Sequence, residues 1–130
     1  MAEKIPYTSR PKAEVDNAVE FVVKDAVVPT GFWLFIQHFA ARNLDNAPTK
    51  IIIGRGREFT PTQLFEEDRA PAADTLYHNE RDHFCPEGEN PLAIFEGCVV
   101  GDHVELYIDG YLTPKMLSDK VETIKKLKVE

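Results

Sequence analysis

The sequence predicts an α+β fold with a mainly antiparallel sheet, and three observations favour it. Residues 13–28 and 32–44 have apolar side chains at helical spacing. Two strand-like runs, LAIFEGCVV and HVELYIDG, are separated by Gly101 and Asp102, a pair typical of a hairpin turn. A final segment has the pattern of a C-terminal helix. We therefore expect two N-terminal helices and one C-terminal helix packed on one face of the sheet.

The beginning of the chain has no periodic pattern. Residues 1–12 carry two prolines and mixed charge, which predicts a flexible N-terminal arm. Residues 13–130 are predicted to form a single α+β domain, because a chain of 130 residues has the size of one domain. In the first predicted helix, 13–28, the apolar stripe contains Val15, Val19 and Val22. The same valines also permit a strand.

The second predicted helix covers residues 32–44 and follows Thr30, which can cap its N-terminus. Its sequence, FWLFIQHFAARNL, leaves little polar face, so we expect this helix to be mostly buried. The next run, KIIIG at residues 50–54, predicts a buried strand, and the GRG that begins at its last residue predicts a hairpin turn.

A short third helix is predicted from a capping pattern. Thr60 can accept a hydrogen bond at the helix N-terminus, Pro61 suits the first helical position, and Gln63 completes a capping box. This helix is expected to end near Glu67. A long polar loop, residues 78–90, follows and contains HNERDHFCPE. Long loops in compact domains are often functional.

The hairpin over residues 92–109 gives the clearest local prediction. Its turn places three pairs of residues opposite each other: Val100 with His103, Cys98 with Glu105, and Glu96 with Tyr107. Alternation then assigns a core face to Phe95, Val99, Val104, Leu106 and Ile108. The opposite, polar face bears Glu96, Cys98, His103, Glu105, Tyr107 and Asp109. The last helix is predicted to begin at Thr113 and Pro114, with lysines near its C-terminal end.

Composition limits the classes of function. The chain has 22 acidic and 15 basic residues and a net charge of −7, which makes general nucleic-acid binding unlikely. The N-terminus lacks the apolar run of a signal peptide, and no stretch is long and apolar enough to span a bilayer. Two cysteines without metal-site spacing are typical of free thiols. We therefore expect a soluble, cytoplasmic protein with no required cofactor.

A metal site is one hypothesis for the polar loop. His78, His83 and Cys85 lie in the loop, and His103 lies on the polar face of the predicted hairpin. Imidazole and thiolate groups are suitable ligands for zinc or another transition metal. The two loop histidines are five residues apart, which differs from the four-residue spacing of a helical zinc motif. An incidental cluster is therefore the favoured interpretation.

Acid–base chemistry without a metal is a second hypothesis. His103, Glu105 and Tyr107 share the polar face, where a carboxylate or imidazole could acquire a shifted pKa. A polar face is equally typical of a solvent-facing antiparallel sheet. Under this hypothesis a ligand pocket would lie between the 78–90 loop and the 92–109 hairpin.

The sequence favours a binding function over catalysis, since binding requires only an acidic, amphipathic sheet face. We expect an adaptor protein that docks a protein partner, or a second copy of itself, through Glu96, Glu105 and Asp109. The alternative is a small metal-dependent or acid–base enzyme, or a protein that binds a small ligand. In that case His83, His103, Glu105 and Tyr107 would carry the chemistry.

Overall fold

The computed structural model describes residues 4–69, 77–79 and 82–114, and every regular element in these ranges is a β-strand. The α+β prediction is therefore wrong. Both N-terminal segments predicted as helices, 13–28 and 32–44, contain strands instead, and so does the predicted short helix after Thr60. Of the C-terminal helix, Thr113 and Pro114 end the last strand, and the remainder lies outside the described residues.

The described chain contains ten strands: β1 (Ile5–Ser9), β2 (Lys12–Glu14), β3 (Glu20–Lys24), β4 (Phe32–Asn43), β5 (Lys50–Arg57), β6 (Thr60–Arg69), β7 (Tyr77–Asn79), β8 (His83–Cys85), β9 (Asn90–Glu96) and β10 (His103–Pro114). The predicted buried strand at residues 50–54 is confirmed as part of β5. It continues through the GRG sequence, so that the turn falls at Glu58 and Phe59 instead.

The strands form two antiparallel sheets. In the first sheet the order is β1, β10, β4, β7, with β2 also paired to β10 and β8 also paired to β4. In the second sheet the order is β3, β9, β5, β6. Each sheet thus has four strand positions, and the chain passes between the sheets in the order of an eight-stranded jelly roll.

The core lies between the two sheets. The central strands β4 and β10 contribute Ile36, Phe39 and Leu106, and the second sheet contributes Ile53 and Phe95, all of which are fully buried. Burial of each such side chain contributes about 1.5–3 kcal/mol. The two sheets therefore hold together mainly through these apolar contacts, and the outer face of each sheet is left for other roles.

A β-bulge in the first sheet changes which residues of β4 face the core. Asp109 pairs with His38, whereas Gly110 pairs with Ile36, so Gln37 is the extra residue. A side chain at Gly110 would place its Cβ 2.0 Å from the carbonyl oxygen of Phe35. Only glycine fits here. Core positions are even-numbered before the bulge and odd-numbered after it, which hides the alternation expected of a strand.

The predicted hairpin is also wrong, because β9 and β10 belong to different sheets. The segment between them crosses the end of the sandwich and is fixed by the buried carboxylate of Asp102. That carboxylate accepts hydrogen bonds from the side-chain amides of Asn43 (2.8 Å) and Asn46 (2.6 Å) and from the backbone N–H of Val99 (2.9 Å). Such bonds favour a crossing loop over a two-residue turn at Gly101.

The N-terminal segment contributes the edge of the first sheet. Residues 5–9, within the predicted flexible arm, form β1 and pair with β10. The hydroxyls of Tyr7 and Ser9 donate hydrogen bonds of 2.6 and 2.7 Å to the buried carboxylate of Asp25, which directly follows β3. These bonds connect the edge of one sheet with the edge of the other.

Candidate interaction surface

The outer face of the first sheet carries a continuous group of aromatic rings. The ring of Phe35 lies 5.3 Å from that of Phe84 and 5.4 Å from that of Tyr111, in a tilted and a stacked arrangement. Trp33 meets Phe84 edge-on, with 5.4 Å between ring centroids. All four rings are half-buried. We call this outer surface, together with its charged part around Tyr107, the aromatic face.

Alternation along the strands explains why these rings face outward. Phe35 pairs with Phe84 of β8 on one side and with Tyr111 of β10 on the other, so the three side chains project from the same side of the sheet. Trp33 is two residues before Phe35 and shares that side. Neighbouring rings at these separations contribute about 0.5–1.5 kcal/mol per pair beyond their burial.

The charged part of the aromatic face is centred on Tyr107. The guanidinium of Arg10 lies 4.5 Å from the centre of this ring, and that of Arg42 lies 5.7 Å from it. Arg42 also donates a 3.3 Å hydrogen bond to the Tyr107 hydroxyl. At the far end of the face, the ammonium of Lys4 lies 4.6 Å from the centre of the Tyr111 ring. Cations over ring faces hold both partners in a defined geometry.

Two carboxylates on this face are bound to basic residues. Glu105 is 1% exposed, pairs with the Arg42 Nε and lies 3.8 Å from the Lys12 ammonium. Asp109 pairs with Arg10 at 3.2 Å. Burial alone would raise the pKa of Asp109, but hydrogen bonds from Arg10 and Thr8 lower it below its usual value. Both carboxylates thus organise the basic groups around Tyr107.

His103 begins β10 and lies at one end of the same face. Its backbone N–H and its ring Nδ1 both contact the Asp45 carboxylate, at 2.7 and 2.9 Å. The hydrogen bond and charge of Asp45 raise the pKa of His103. In turn, the backbone N–H of His103, followed by its ring, lowers the pKa of Asp45. Both side chains are exposed.

The predicted acid–base residues do share one side of β10. His103, Glu105 and Tyr107 all project outward, as the alternation predicted. His103, however, contacts Asp45, Glu105 pairs with Arg42, and the Tyr107 ring lies under Arg10. These contacts hold the side chains on the outer surface of the sheet in place. The enzyme alternative places its pocket between the 78–90 loop and a 92–109 hairpin. That hairpin does not form, because β9 and β10 lie in different sheets.

The acidic docking face predicted from Glu96, Glu105 and Asp109 is divided between the sheets. Glu96 ends β9 in the second sheet, where its carboxylate lies 3.7 Å from the Lys50 ammonium. The other two carboxylates lie on the aromatic face among arginines. The prediction differs from the structure because the expected hairpin pairs β9 with β10, whereas these strands belong to different sheets.

Of the predicted metal ligands, His83 and Cys85 share the core-facing side of β8, whereas His103 faces outward from β10. The His83 ring lies inside the sandwich, stacked on Phe65 at 4.2 Å, whereas His103 is on the outer surface. Cys85 is fully buried, and burial raises the pKa of its thiol to about 12. His78 pairs with Ala40 through its backbone, and its side chain lies outside the described parts. In the ranges that the structure describes, no three His, Cys, Asp or Glu side chains form a metal-binding group.

Two carboxylates in the segment predicted as the 78–90 loop, those of Glu87 and Glu89, have structural contacts. Glu87 accepts a 2.7 Å hydrogen bond from the backbone N–H of Gly31. Glu89 accepts a 2.7 Å bond from the Thr62 hydroxyl and lies 3.5 Å from the Arg55 Nε. These contacts attach the segment after β8 to neighbouring loops and strands. The polar composition that suggested a site thus has a local structural explanation.

The sequence pattern does not predict the aromatic face. Trp33 and Phe35 were assigned to a buried helix, and Phe84 received no role at all. An available signal was the enrichment of β4 in aromatic residues, which is typical of strands. Outward-facing aromatic residues that are only half-buried are a recurrent feature of protein interfaces.

Comparison with known proteins supports the fold. No protein-family model and no curated protein matches the sequence. Among solved structures, a chain in the acidic stable capsid structure of Helicobacter pylori bacteriophage KHP30 is similar over 85% of this chain and 93% of its own, with a TM-score of 0.58 and 15% sequence identity. At this identity the similarity concerns the fold.

Two larger viral chains are less similar. Those of infectious bursal disease virus strains Gt and Gx align with TM-scores of 0.35 and 0.33 at 13% and 15% identity. Each match covers 86% of this chain, which spans only 30% and 29% of theirs.

Among the residues that the structure describes, no helix is long and apolar enough to cross a membrane.

Proposed function

We propose that this protein is a non-enzymatic component of a virus shell that binds neighbouring shell proteins through its aromatic face. The observation that carries the proposal is the set of half-buried rings at Trp33, Phe35, Phe84 and Tyr111, bordered by Arg10 and Arg42. Aromatic residues and arginine are the types enriched at protein interfaces. The similarity in fold to a chain of the KHP30 capsid structure supports the proposal that the binding partners are shell proteins.

The state of the polar groups agrees with a binding role. His103 and Glu105, two of the groups suggested for catalysis, are tied by ion pairs to Asp45 and Arg42, and the thiol of Cys85 is held protonated by burial. Both cysteines are free and buried. Free thiols fit assembly in the reducing cytoplasm, where we propose that the protein functions.

The amount of the protein in purified virus particles tests this proposal. Particles are isolated from the host that carries the gene, and peptide mass spectrometry compares the protein with the main shell protein. We expect a fixed ratio between the two in intact particles. A protein that is absent from the particles, or present only in traces that vary between preparations, would contradict the proposal.

Variants then link incorporation to the aromatic face. Tyr111→Glu introduces a charge among the rings and should reduce incorporation about tenfold, which corresponds to about 1.4 kcal/mol. Val99→Glu is the matched control, because Val99 is 55% exposed in the loop between the sheets and away from the rings. Equal incorporation of both variants, each with normal unfolding behaviour, would exclude the aromatic face as the docking surface.

A further inference from the structure

The outer face of the second sheet has the opposite character to the aromatic face. Val22, Ile52, Leu92 and Ile94 form a small aliphatic cluster there, outside the main core; Leu92 is fully buried, Ile52 and Ile94 are nearly so, and Val22 is half-buried. Leu64 of the neighbouring strand β6 is 52% exposed beside Ile52. We call this outer surface of the second sheet, together with the charged residues around the cluster, the acidic face.

The charges around the aliphatic cluster are mainly negative. Lys50 lies between Glu67 (3.5 Å) and Glu96 (3.7 Å), so one ammonium is shared by two carboxylates. Lys24 pairs with Glu58 at 2.5 Å. Counted over the residues whose side chains the structure describes, this face bears two lysines, at 24 and 50, and four carboxylates, at Glu20, Glu58, Glu67 and Glu96.

The charged groups closest to the rings of the aromatic face are basic, although the whole chain carries a net charge of −7: Lys4 lies over Tyr111, and Arg10 and Arg42 lie over Tyr107. The basic side chains of this face are Lys4, Arg10, Lys12 and Arg42. Its carboxylates are Glu14, Glu105, Asp109 and Asp45, of which Glu105 is buried against Arg42 and Asp45 contacts His103 at one end of the face. Each copy of the protein therefore has one face on which cations lie over aromatic rings and another on which carboxylates surround an aliphatic cluster.

We propose that the aromatic face of one copy docks on the acidic face of a second copy. The basic groups over the rings of one copy and the carboxylates around the aliphatic cluster of the other favour this pairing, whereas two acidic faces, or two sets of ring-bound cations, would bring like charges together. The contact uses a different surface on each copy, so it can continue from copy to copy, as growth of a shell requires. This inference deepens the proposed function and rests on it.

The size of the faces is adequate for a weak contact. Four strands spaced ~4.8 Å apart, with about eight residues each at ~3.3 Å, cover on the order of 500 Å². Two such faces bury on the order of 1,000 Å² in total, which is near the lower limit for a specific interface. The contact is therefore expected to form at high local concentration and to weaken with salt.

Charge reversal on each face tests the contact by sedimentation velocity. The first variant, Lys4→Glu/Arg10→Glu, reverses two groups on the aromatic face, and the second, Glu67→Lys/Glu96→Lys, reverses two on the acidic face. We expect the wild type to sediment faster as its concentration rises to about 1 mM, a range that detects weak contacts. Each variant alone should remain monomeric.

Mixing the two variants should restore concentration-dependent association. The reversed aromatic face of the first variant complements the reversed acidic face of the second, and the two unaltered faces also complement each other. Asp16→Lys, in an exposed loop between β2 and β3, changes the net charge in the same direction as the second variant and should associate like the wild type. Folding of each variant is checked by its unfolding curve.

Three results would overturn the inference. The wild type could remain monomeric throughout, one variant alone could associate like the wild type, or the mixture could fail to associate. The second result would show that the altered face takes no part in the contact. If the protein is nevertheless present at a fixed ratio in virus particles, the proposed function stands and only this contact fails.

Discussion

The Tyr7 hydroxyl donates a 2.6 Å hydrogen bond to the carboxylate of Asp25, and this bond joins the edges of the two sheets. Burial, followed by the contact with Asp25, raises the pKa of Tyr7 above its usual value. Strand β1 at the edge of the aromatic face is thereby anchored to the second sheet. The position of the aromatic face therefore depends on the Tyr7–Asp25 hydrogen bond, which lies on the core-facing side of the first sheet.

Tyr7→Phe should lower the free energy of unfolding by about 1–3 kcal/mol, because it removes a hydrogen bond from the buried carboxylate of Asp25. Urea unfolding followed by circular dichroism measures the change. Tyr111→Phe removes a hydroxyl from a half-buried ring on the outer face and should change stability by less than about 0.5 kcal/mol. Equal effects of the two variants would contradict the anchoring role of Tyr7.

Asn43→Ala should destabilise the protein by about 2 kcal/mol, because it removes one of the three hydrogen bonds to the buried Asp102 carboxylate. Burial alone would raise the pKa of Asp102, but bonds from Asn43, Val99 and Asn46 lower it. This stabilisation is present above the unfolded pKa of about 3.9 and is lost as the pH falls through the folded pKa.

The loss from Asn43→Ala should therefore be larger at pH 7 than at low pH, which urea unfolding at several pH values measures. Asn46→Ala, at an exposed position, is the control and should cost about 0.5 kcal/mol, since water replaces its bond. A loss from Asn43→Ala that does not change with pH would contradict the role of the Asp102 charge.

Asp45→Asn should lower the pKa of His103 toward about 6.5, because Asp45 supplies the hydrogen bond and the charge that raise it. The raised pKa means that protonated His103 favours the folded state. This contribution is full below about pH 6.5 and is lost as the pH rises through the folded pKa. Asp45 contributes above about pH 3.9, so the pair stabilises most between these values.

An NMR titration of the His103 ring measures this pKa directly. Glu14→Gln is the control, since Glu14 is a weaker cause of the same shift. It should lower the pKa of His103 less than Asp45→Asn does. An unchanged His103 pKa in Asp45→Asn would show that the ion pair is not formed in solution.

Gly110→Ala should destabilise the protein by about 3 kcal/mol, because the new Cβ would lie 2.0 Å from the Phe35 carbonyl oxygen at the bulge. Gly88→Ala is the comparison. No atom lies within 4 Å of that Cβ, and the positive φ of 80° should cost only about 1 kcal/mol. Thermal unfolding of both variants distinguishes a steric effect from backbone strain. Equal losses would mean that the bulge can relax.

Local pattern predicted the faces of β10 but not its neighbours. Val104, Leu106 and Ile108 were assigned to the core and are buried there. Pairing could not be derived in the same way, because the sequence separation between β4 and β10 leaves no local signal. The hairpin hypothesis therefore chose the nearest strand, and Val99, predicted to be in the core, is exposed.

The helix predictions failed for physical reasons that the structure identifies. The first half of strand β4 is apolar on both sides and a bulge follows it, so the alternation is hidden and the apolar run resembles a buried helix. The valines of residues 13–28 mimic a helical stripe, but Val19 is 80% exposed in a loop. The capping pattern at Thr60 instead starts an edge strand, where Pro61 is tolerated.

The fluorescence of Trp33 tests the central claim most directly, because the chain has one tryptophan and it lies on the aromatic face. The emission spectrum is recorded as the protein concentration rises, with Tyr111→Glu as the control. We predict that the emission maximum shifts to shorter wavelength in the wild type and stays constant in the variant, as binding excludes water from the rings. If sedimentation detects association while the Trp33 emission does not change, the contact forms elsewhere and the aromatic face is not the binding surface.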